Sequence, residues 1–231
     1  MSERSEARVV ERRRSMSSEG EKQLAAEAAA ELVEDGMLVG LGTGSTVAYL
    51  LPALAARGLD LRCVATSPAT EQAARELGIH VESFADANAL ARLDMTIDGA
   101  DQVAPSGWLV KGGGGAHTRE KAVAAAADRF VVIVSSDKLV ERLSPPVPLE
   151  LLEFGLAATL RRLDTVRLRD APRSPDGGVI ADFTGEFDDP EALAAQLSAT
   201  VGVIEHGLFP SAMVSEVYVG RGDQVERITP P

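Results

Sequence analysis

Apolar positions between residues 18 and 145 follow two alternating periods. Short, almost continuous apolar runs predict buried strands, and apolar residues spaced three or four apart predict amphipathic helices. A first helix from residue 18 is expected to end before Gly36. Strands are predicted at 37–41, 61–65, 79–81, 95–97, 108–110 and 130–134, and the helices between them at 47–56, 70–77, about 86–90 and 118–127. Strands that alternate with helices favour parallel β-α-β crossovers and a doubly wound open sheet.

The proline-rich segment Ser144–Pro148 interrupts this alternation and is the predicted domain boundary. The segments after it are predicted, in order, as strand 147–152, helix 154–162, strand 165–169, strand 179–183, a helix from Asp188 to Ser198 capped by Asp188 or Asp189, and strand 201–204. A β-α-β-β-α-β order is typical of a ferredoxin-like α+β unit.

Two last apolar segments, 213–219 and 224–228, flank a turn and predict a hairpin that returns to the first unit. The charged segment before residue 18 has little apolar content and is expected to be a frayed tail. The sequence thus predicts an α/β protein with a tail over 1–17, a Rossmann-like domain over 18–145 plus about 212–231, and a smaller ferredoxin-like domain over 146–211.

Composition narrows the class of protein. The chain of 231 residues has 35 Asp and Glu against 23 Lys and Arg, a formal net charge of −12, which argues against a nucleic-acid partner because such partners are met by a basic face. The longest aliphatic or aromatic run, 130–134, is far shorter than the roughly 18 residues that span a bilayer, and the N-terminus has no signal-peptide pattern. The one cysteine, Cys63, permits neither an internal disulfide nor a cysteine zinc site. We expect a cytoplasmic protein with no membrane partner.

Lysine is rare, since only four of the cationic residues are lysines: Lys22, Lys111, Lys121 and Lys138. Arginine supplies nearly all of the positive surface. Each remaining lysine is either a chance surface residue or a point charge placed against a phosphate or a developing oxyanion.

The segment Gly40–Thr46 (GLGTGST) follows a predicted strand and opens a predicted helix. Backbone N–H groups and the helix dipole favour an anion at such a place. A dinucleotide fingerprint would require glycine where Ser45 stands and an acid after the second strand, so the segment argues against NAD. It favours a monophosphate cradle formed by the hydroxyls of Thr43, Ser45 and Thr46. A tight turn with capping hydroxyls is the alternative.

Two aspartates, Asp98 and Asp101, follow the strand at 95–97. Loops after the strands of an open α/β sheet meet at its ligand-binding edge, so both carboxylates are expected to face one region. They are available for proton transfer or for binding sugar hydroxyls. A magnesium site or a simple Asp-Gly turn would account for the same residues.

The segment Lys111–Lys121 (KGGGGAHTREK) has four consecutive glycines, which let the backbone approach a ligand closely. Lys111 stands at the end of a predicted strand and Glu120 in the first turn of the next helix, where a carboxylate either acts on a ligand or caps the helix. His117 is a candidate general base or a solvated turn residue. The other histidines, His80 and His206, form no metal-ligand spacing with it, and no metal is expected.

Seven segments in chain order together resemble the type A ribose-5-phosphate isomerases. They are GLGTGSTV (40–47), TSPAT (66–70), IDGADQV (97–103), KGGGGAHTREK (111–121), SDKLV (136–140), SPDGGVIAD (174–182) and GVIEHGLF (202–209). The resemblance implies an enzyme that interconverts D-ribose 5-phosphate and D-ribulose 5-phosphate in the non-oxidative pentose phosphate pathway, without metal or cofactor. It also implies a homodimer or homotetramer.

By this resemblance, Glu120 is the base that moves a proton between C2 and C1 through an enediolate. Asp98 and Asp101 bind sugar hydroxyls and assist ring opening, and Lys111 stabilises the oxyanion together with the glycine amides. The residues that contact substrate by the same resemblance are Thr43, Gly44, Ser45, Thr46, Asp98, Gly99, Ala100, Asp101, Lys111, Gly112, Gly113, Gly114, Lys138 and, more weakly, Lys22.

Two other classes of protein deserve comparison. A phosphosugar-sensing effector domain of a transcription regulator would need a DNA-binding module that the N-terminal tail is too short to supply. An amino-sugar phosphate deaminase or a CoA transferase is disfavoured by the pairing of DGAD (98–101) with KGGGG (111–115).

Overall fold

The structure is a computed structural model that describes residues 18–85 and 90–231. The helices are α1 (18–30), α2 (Val47–Arg57), α3 (Pro68–Glu76), α4 (His117–Ala125), α5 (Leu156–Leu163) and α6 (Pro190–Ser198). The strands are β1 (Leu38–Leu41), β2 (Arg62–Ala65), β3 (Leu93–Asp98), β4 (Gln102–Val103), β5 (Leu109–Val110), β6 (Ala127–Ser135), β7 (Val147–Leu151), β8 (Val166–Leu168), β9 (Val179–Phe183), β10 (Val203–His206), β11 (Leu208–Phe209), β12 (Glu216–Arg221) and β13 (Gln224–Ile228). In the described ranges no helix combines the length and the hydrophobicity needed to cross a membrane. The tail predicted over 1–17 lies outside the described residues, as does nearly all of the helix predicted at about 86–90.

The largest sheet has six strands in the order β13-β12-β6-β3-β1-β2. All neighbouring strands pair in parallel except β12 and β13, which form an antiparallel hairpin. The strand order reverses between β1 and β3, and ligands of open α/β sheets bind beyond the carboxyl ends of the strands at such a switch point. The prediction of a doubly wound α/β sheet is confirmed.

Helices cover both faces of this sheet, which is why its strands are almost continuously apolar. On one face, alanines of α1 and leucines of α2 pack in one cluster with Leu41, Met95 and Ile97. On the other face α4 lies so close to β1 that a Cβ at Gly40 would come within 2.5 Å of Cγ1 of Val123. This close packing fixes β1, β3 and α4 relative to one another, and with them the starting points of the loops at their ends.

The second sheet has four antiparallel strands in the order β10-β7-β9-β8. When the four strands are numbered in chain order from β7 to β10, their order in the sheet is 4-1-3-2. The helices α5 and α6 form the two crossover connections. The predicted ferredoxin-like arrangement is confirmed. Asp189 rather than Asp188 caps α6, since its side chain accepts from the N–H groups of Glu191 and Ala192. The division of the chain into domains at residues 145 and about 211 stays a prediction.

Two predicted strands differ from the structure. The segment at 79–81 forms only an isolated bridge between Cys63 and Val81. The segment at 108–110 does not join the large sheet: its two paired residues, β5, lie in a three-stranded sheet between β4 and β11. The partner β11 comes from about a hundred positions away, and such pairing leaves no mark on local periodicity.

Candidate active site

The loops after β1, β3 and β5 meet at the switch point and enclose a cavity of about 160 Å³. This volume is below the roughly 300–1,000 Å³ of pockets that hold drug-sized ligands, so the cavity suits a small molecule. Its lining comprises Lys22, Thr43, Gly44, Ser45, Thr46, Gly99, Ala100, Asp101, Lys111, Gly112, Gly113, Gly114, Glu120 and Lys138. Every residue that the sequence assigned to the site is among them except Asp98, which lies directly behind the lining.

A buried lysine between two carboxylates forms the centre of the site. Nζ of Lys111 lies 3.0 Å from Oδ2 of Asp98 and 3.2 Å from Oε2 of Glu120, and it also donates to the carbonyl of Gly99. The side chain of Lys111 is only 2% exposed. Burial alone would lower the pKa of Lys111, but the two carboxylates raise it above its ordinary value. Lys111 is therefore a fixed positive charge at neutral pH.

The backbone near Lys111 fixes this charge in place. The N–H of Lys111 donates to the carbonyl of Gly207 at 2.8 Å, which continues the pairing of β5 with β11. The Phe209 ring of β11 lies beneath the ammonium, with its centroid 5.4 Å from Nζ. The site thus depends on the three-stranded sheet that the sequence pattern did not predict.

Glu120 is a carboxyl group with an unusually high proton affinity. It is 4% exposed, and its Oε2 has no hydrogen-bond partner among the described residues apart from the ion pair with Lys111. Burial raises the pKa of Glu120 to about 7, although the Lys111 ammonium opposes the shift, and the Asp98 carboxylate adds to it. A carboxyl with this pKa can both accept and return a proton near neutral pH. The alternative that Glu120 only caps α4 is not what its contacts indicate.

Asp98 ends β3 and is 1% exposed. Its Oδ1 accepts hydrogen bonds from the N–H groups of Thr43, at 3.0 Å, and Gly99, at 2.7 Å. A Cβ at position 42 would lie 2.0 Å from this carboxyl, so only glycine fits there. Burial raises the pKa of Asp98, with Lys111 and the two N–H donors opposing the shift. Asp98 holds the turn after β1 against Lys111.

The turn between β1 and α2 presents a helix N-terminus to the cavity. The N-cap residue Thr46 makes no side-chain capping hydrogen bond, so the interpretation of this turn as a capped connection is wrong. Ser45 is exposed and Thr46 half-buried. The hydroxyl of Thr43 instead hydrogen-bonds to that of Thr66 at 2.7 Å. Ser45 and Thr46 line the cavity at the start of α2, where the helix dipole favours an anion.

Two further lysines, Lys22 of α1 and Lys138, line the same cavity. Three of the four lysines of the chain thus line one cavity in a protein of net charge −12. Glu21, a residue that the sequence did not single out, links α1, which carries Lys22, to the segment 136–138, which carries Lys138. Its carboxylate accepts from the N–H of Ser136 at 3.0 Å, the hydroxyl of Ser136 at 2.7 Å and the N–H of Gly222 at 2.9 Å.

The four consecutive glycines 112–115, here called the glycine loop, pack against His117, the first residue of α4. A Cβ at Gly112, whose φ is +99°, would lie 2.7 Å from Nδ1 of His117. His117 is fully buried, so its interpretation as a solvated turn residue is wrong. Burial lowers the pKa of His117 to about 4, although a backbone hydrogen bond to Glu205 opposes this. His117 is neutral at physiological pH and supports the loop from outside the cavity lining.

Asp101 is exposed at the cavity and accepts a hydrogen bond from the N–H of Gly113 at 2.7 Å. The two aspartates that the sequence paired therefore differ in environment, since only Asp101 reaches the open space. Among the described residues no group of three or more His, Cys, Asp and Glu side chains is arranged to hold a metal ion. The cation that Asp98 contacts is the ammonium of Lys111.

Fold and site together define an α/β enzyme whose cavity joins an acid–lysine–acid centre to the N-terminus of a helix. The family model of ribose 5-phosphate isomerase A (phosphoriboisomerase A) matches residues 62–224. A relative from Caulobacter vibrioides is named ribose-5-phosphate isomerase A. It is 46% identical in an alignment of 231 positions that covers 93% of this chain and 100% of the relative. The chain belongs to the ribose 5-phosphate isomerase A family.

Solved structures agree with this assignment. A crystal structure of ribose 5 phosphate isomerase A from Neisseria gonorrhoeae superposes with a TM-score of 0.86 at 33% identity and covers 91% of this chain and 96% of that one. A structure of a D-ribose-5-phosphate isomerase in complex with phospho-erythronic acid gives a TM-score of 0.82 at 34% identity, with 90% and 97% covered. The resemblance stated from the seven sequence segments is confirmed.

Proposed function

We propose that the chain interconverts D-ribose 5-phosphate and D-ribulose 5-phosphate and that Glu120 carries the proton. The family membership gives the isomerase activity. The observation that carries the residue assignment is the Lys111 ammonium, fixed 3.2 Å from a carboxyl whose pKa is raised to about 7, at the floor of a cavity lined by two other lysines. The roles below rest on this geometry.

The phosphate of the substrate binds at the N-terminus of α2. Its polar and cationic partners are four residues that line the cavity, namely Ser45, Thr46, Lys22 and Lys138. The N–H groups at the start of the helix, which no side chain caps, supply further donors. Binding energy from this non-reacting end orients the sugar so that C1 and C2 face Glu120. The three cationic lysines of the cavity also raise its potential for an anion in an acidic protein.

Glu120 then moves one proton between adjacent carbons. Its carboxylate takes the proton from C2 of the open-chain aldose, and the C–H electron pair forms the C1–C2 double bond of an enediolate as the carbonyl electrons move to O1. Return of the proton to C1 and transfer of the O2 proton to O1 give the ketose. C1 is reduced and C2 oxidised within one molecule, so the reaction is balanced without an external oxidant, reductant or cofactor.

Lys111 stabilises the negative charge that develops on the sugar oxygens. A preorganised charge in a water-poor site costs no reorganisation during the reaction. Gly112, Gly113 and Gly114 line the same cavity as Lys111, and backbone N–H groups of this loop supply neutral donors. Asp98 holds the Lys111 ammonium, and Asp101, at the open side, is placed to bind hydroxyls and assist ring opening.

The complex of the structural relative with phospho-erythronic acid supports this arrangement. That ligand carries a phosphate at one end and a planar, negatively charged carboxylate at the other. The carboxylate has the shape and charge of the enediolate, and the phosphate matches that of the substrate. We expect phospho-erythronic acid to bind this chain more tightly than ribose 5-phosphate.

The direct test is an assay of the purified protein with ribose 5-phosphate, with allose 6-phosphate as the comparison and EDTA present in a parallel series. The proposal predicts ribulose 5-phosphate as product, a lower rate with allose 6-phosphate and no loss of activity with EDTA. Binding of ribose 5-phosphate without turnover would overturn the proposal and favour a sugar-phosphate-sensing domain. Loss of activity that magnesium restores would overturn the metal-free mechanism.

We further propose that the chain acts as a homodimer or homotetramer in the cytoplasm. Large apolar side chains are exposed in the edge strand β10, just before it and in the segment after β7. Phe154 is 90% exposed, and the others are Leu152, Val201 and Ile204. Contiguous exposed apolar surface is typical of an interface between protein chains. Light scattering at several concentrations tests this, and Phe154→Asp is expected to lower the mass if the surface is buried in the assembly.

A further inference from the structure

Arg169 of the small antiparallel unit contacts the glycine loop from outside the active-site cavity. It follows β8, and its backbone N–H donates to the carbonyl of Ile180 in β9 at 3.0 Å. Its Nη1 donates to the carbonyl of Gly112 at 3.1 Å and to that of Gly113 at 3.0 Å. Arg169 does not line the cavity that holds Lys111; it lines a separate cavity on which the same loop borders.

Asp182 of β9 fixes the guanidinium in this position. Its two carboxylate oxygens accept from Nε at 2.9 Å and from Nη2 at 2.6 Å. The Arg169 side chain is 19% exposed and that of Asp182 6%. This bidentate pair leaves Nη1 free for the two carbonyls, a division of donors that the single ammonium of a lysine does not reproduce.

The contact determines which way the loop amides point. In a trans peptide the C=O and N–H groups point in opposite directions. Carbonyls of Gly112 and Gly113 held towards Arg169 therefore turn the N–H groups of Gly113 and Gly114 away from it. The N–H of Gly113 indeed donates to Asp101, which lines the active-site cavity.

The loop needs such a restraint more than most loops do. Residues 112–115 are all glycine, the residue with the greatest backbone freedom, and amides stabilise a developing oxyanion only when they are oriented in advance. A charged donor on a carbonyl also polarises the peptide, which strengthens its N–H as a donor.

We propose that Arg169, held by Asp182, is a positioning residue that orients the glycine-loop amides towards the developing oxyanion. This inference rests on the proposed isomerisation and gives the small unit a part in it. Arg169 acts through the loop and contacts no substrate.

The test compares Arg169→Met, Arg169→Lys and Asp182→Asn with Asp176→Asn as the matched control. Asp176, between β8 and β9, forms a bidentate pair with Arg119 of α4 at 2.7 and 2.8 Å. The control therefore removes an ion pair that, like the contact of Arg169 with the glycine loop, joins the small antiparallel unit to the rest of the protein. This pair does not contact the glycine loop. For each variant, kcat and KM for ribose 5-phosphate, the inhibition constant of phospho-erythronic acid and the melting temperature are measured.

We expect Arg169→Met to lower kcat by about 10- to 100-fold with KM changed less than about 3-fold, because the restraint acts on transition-state donors. The affinity for phospho-erythronic acid should fall in parallel with kcat/KM, and Arg169→Lys should recover part of both. Asp182→Asn should lower kcat in the same direction. Asp176→Asn should keep kcat within about 2-fold.

An unchanged kcat in Arg169→Met, or an equal loss in Asp176→Asn, would overturn the proposal. If Arg169→Met does not fold, the lysine and Asp182→Asn variants carry the same comparison. If the wild-type protein fails to convert ribose 5-phosphate, the proposed function falls instead. Hydrogen exchange of amides 112–115 then tests the restraint separately, with faster exchange expected in the Arg169 variants and unchanged exchange contradicting it.

Discussion

Nζ of Lys111 lies 3.2 Å from Oε2 of Glu120, with both groups almost fully withdrawn from solvent. The ammonium lowers the proton affinity of the carboxylate, and burial raises it by more, so the pKa of Glu120 settles at about 7. Burial and this one contact together keep the carboxyl ionisable at neutral pH, and the contact places a positive charge beside it, as the proposed proton transfer requires.

The rate should depend on pH through Glu120. Only the carboxylate accepts a proton, and kcat/KM reports the ionisation of the free enzyme, so kcat/KM should fall about tenfold per pH unit below about 7 and level off above it. The Asp98 carboxylate raises the pKa of Glu120, so Asp98→Asn should shift this limb to lower pH. The substrate phosphate, whose second pKa is about 6, affects kcat/KM equally in the wild type and in Asp98→Asn, so a difference between the two profiles comes from the enzyme. A kcat/KM that stays flat down to about pH 5 would contradict the assignment.

Replacing Glu120 by glutamine should stabilise the fold at alkaline pH. The folded-state pKa of Glu120 is raised from 4.5 to about 7, so its ionisation opposes folding increasingly as the pH rises through this window. At about pH 8 the free energy of unfolding should rise by on the order of 3 kcal/mol, which corresponds to a rise in melting temperature of several degrees. The gain should shrink as the pH falls towards 4.5. Calorimetry at both pH values tests this, and a gain independent of pH would count against it.

The hydroxyls at the start of α2 should contribute to phosphate binding. Ser45→Ala combined with Thr46→Ala should raise KM for ribose 5-phosphate about tenfold and leave kcat nearly unchanged, because the phosphate does not react. Unphosphorylated D-ribose is the control substrate, and its low kcat/KM should not change. An equal loss with both substrates would show that the hydroxyls do not act on the phosphate.

Glu21 should hold two cavity lysines in place through its bonds to Ser136 and Gly222. Glu21→Ala is expected to raise KM about 3- to 10-fold and to lower the melting temperature, since Lys22 and Lys138 lose their common anchor. Glu19→Ala, an exposed glutamate of the same helix, is the matched control and should behave as wild type. Steady-state kinetics of both variants decide the point, and identical KM values would refute it.

Much of the fold was predictable because its strands are short apolar runs and its helices carry strong boundary signals. Asp189 and Pro190 begin α6 with the expected capping bonds, and α3 begins at Pro68, two residues before the predicted start, with Ser67 as its cap. The site was predictable to the extent that its residues lie at the ends of strands or directly after them, as Asp98 and Lys111 do. Rarity of lysine was a further signal, because it separates a few point charges from many surface arginines.

The remaining features depend on contacts between distant parts of the chain. Glu21 contacts Ser136 across 115 positions, and Arg169 reaches Gly112 across 57. Local patterns carry no trace of either contact, nor of the β5–β11 pairing that fixes Lys111. Thr43 illustrates the same limit, since its hydroxyl hydrogen-bonds to Thr66 of the neighbouring loop instead of lying free for a phosphate.

The central claim is that the Glu120 carboxylate moves the proton between C2 and C1. Conversion of ribose 5-phosphate in deuterated water, followed by NMR, tests it directly in the wild-type protein and in Glu120→Gln. The wild type should form ribulose 5-phosphate with deuterium at C1, because the proton held on the Glu120 carboxyl exchanges with deuterated water before it is returned. Glu120→Gln should lose about a thousandfold or more in kcat while KM stays within about tenfold, as for loss of a proton-transfer group. Turnover and deuterium incorporation at near wild-type rates in Glu120→Gln would contradict the account.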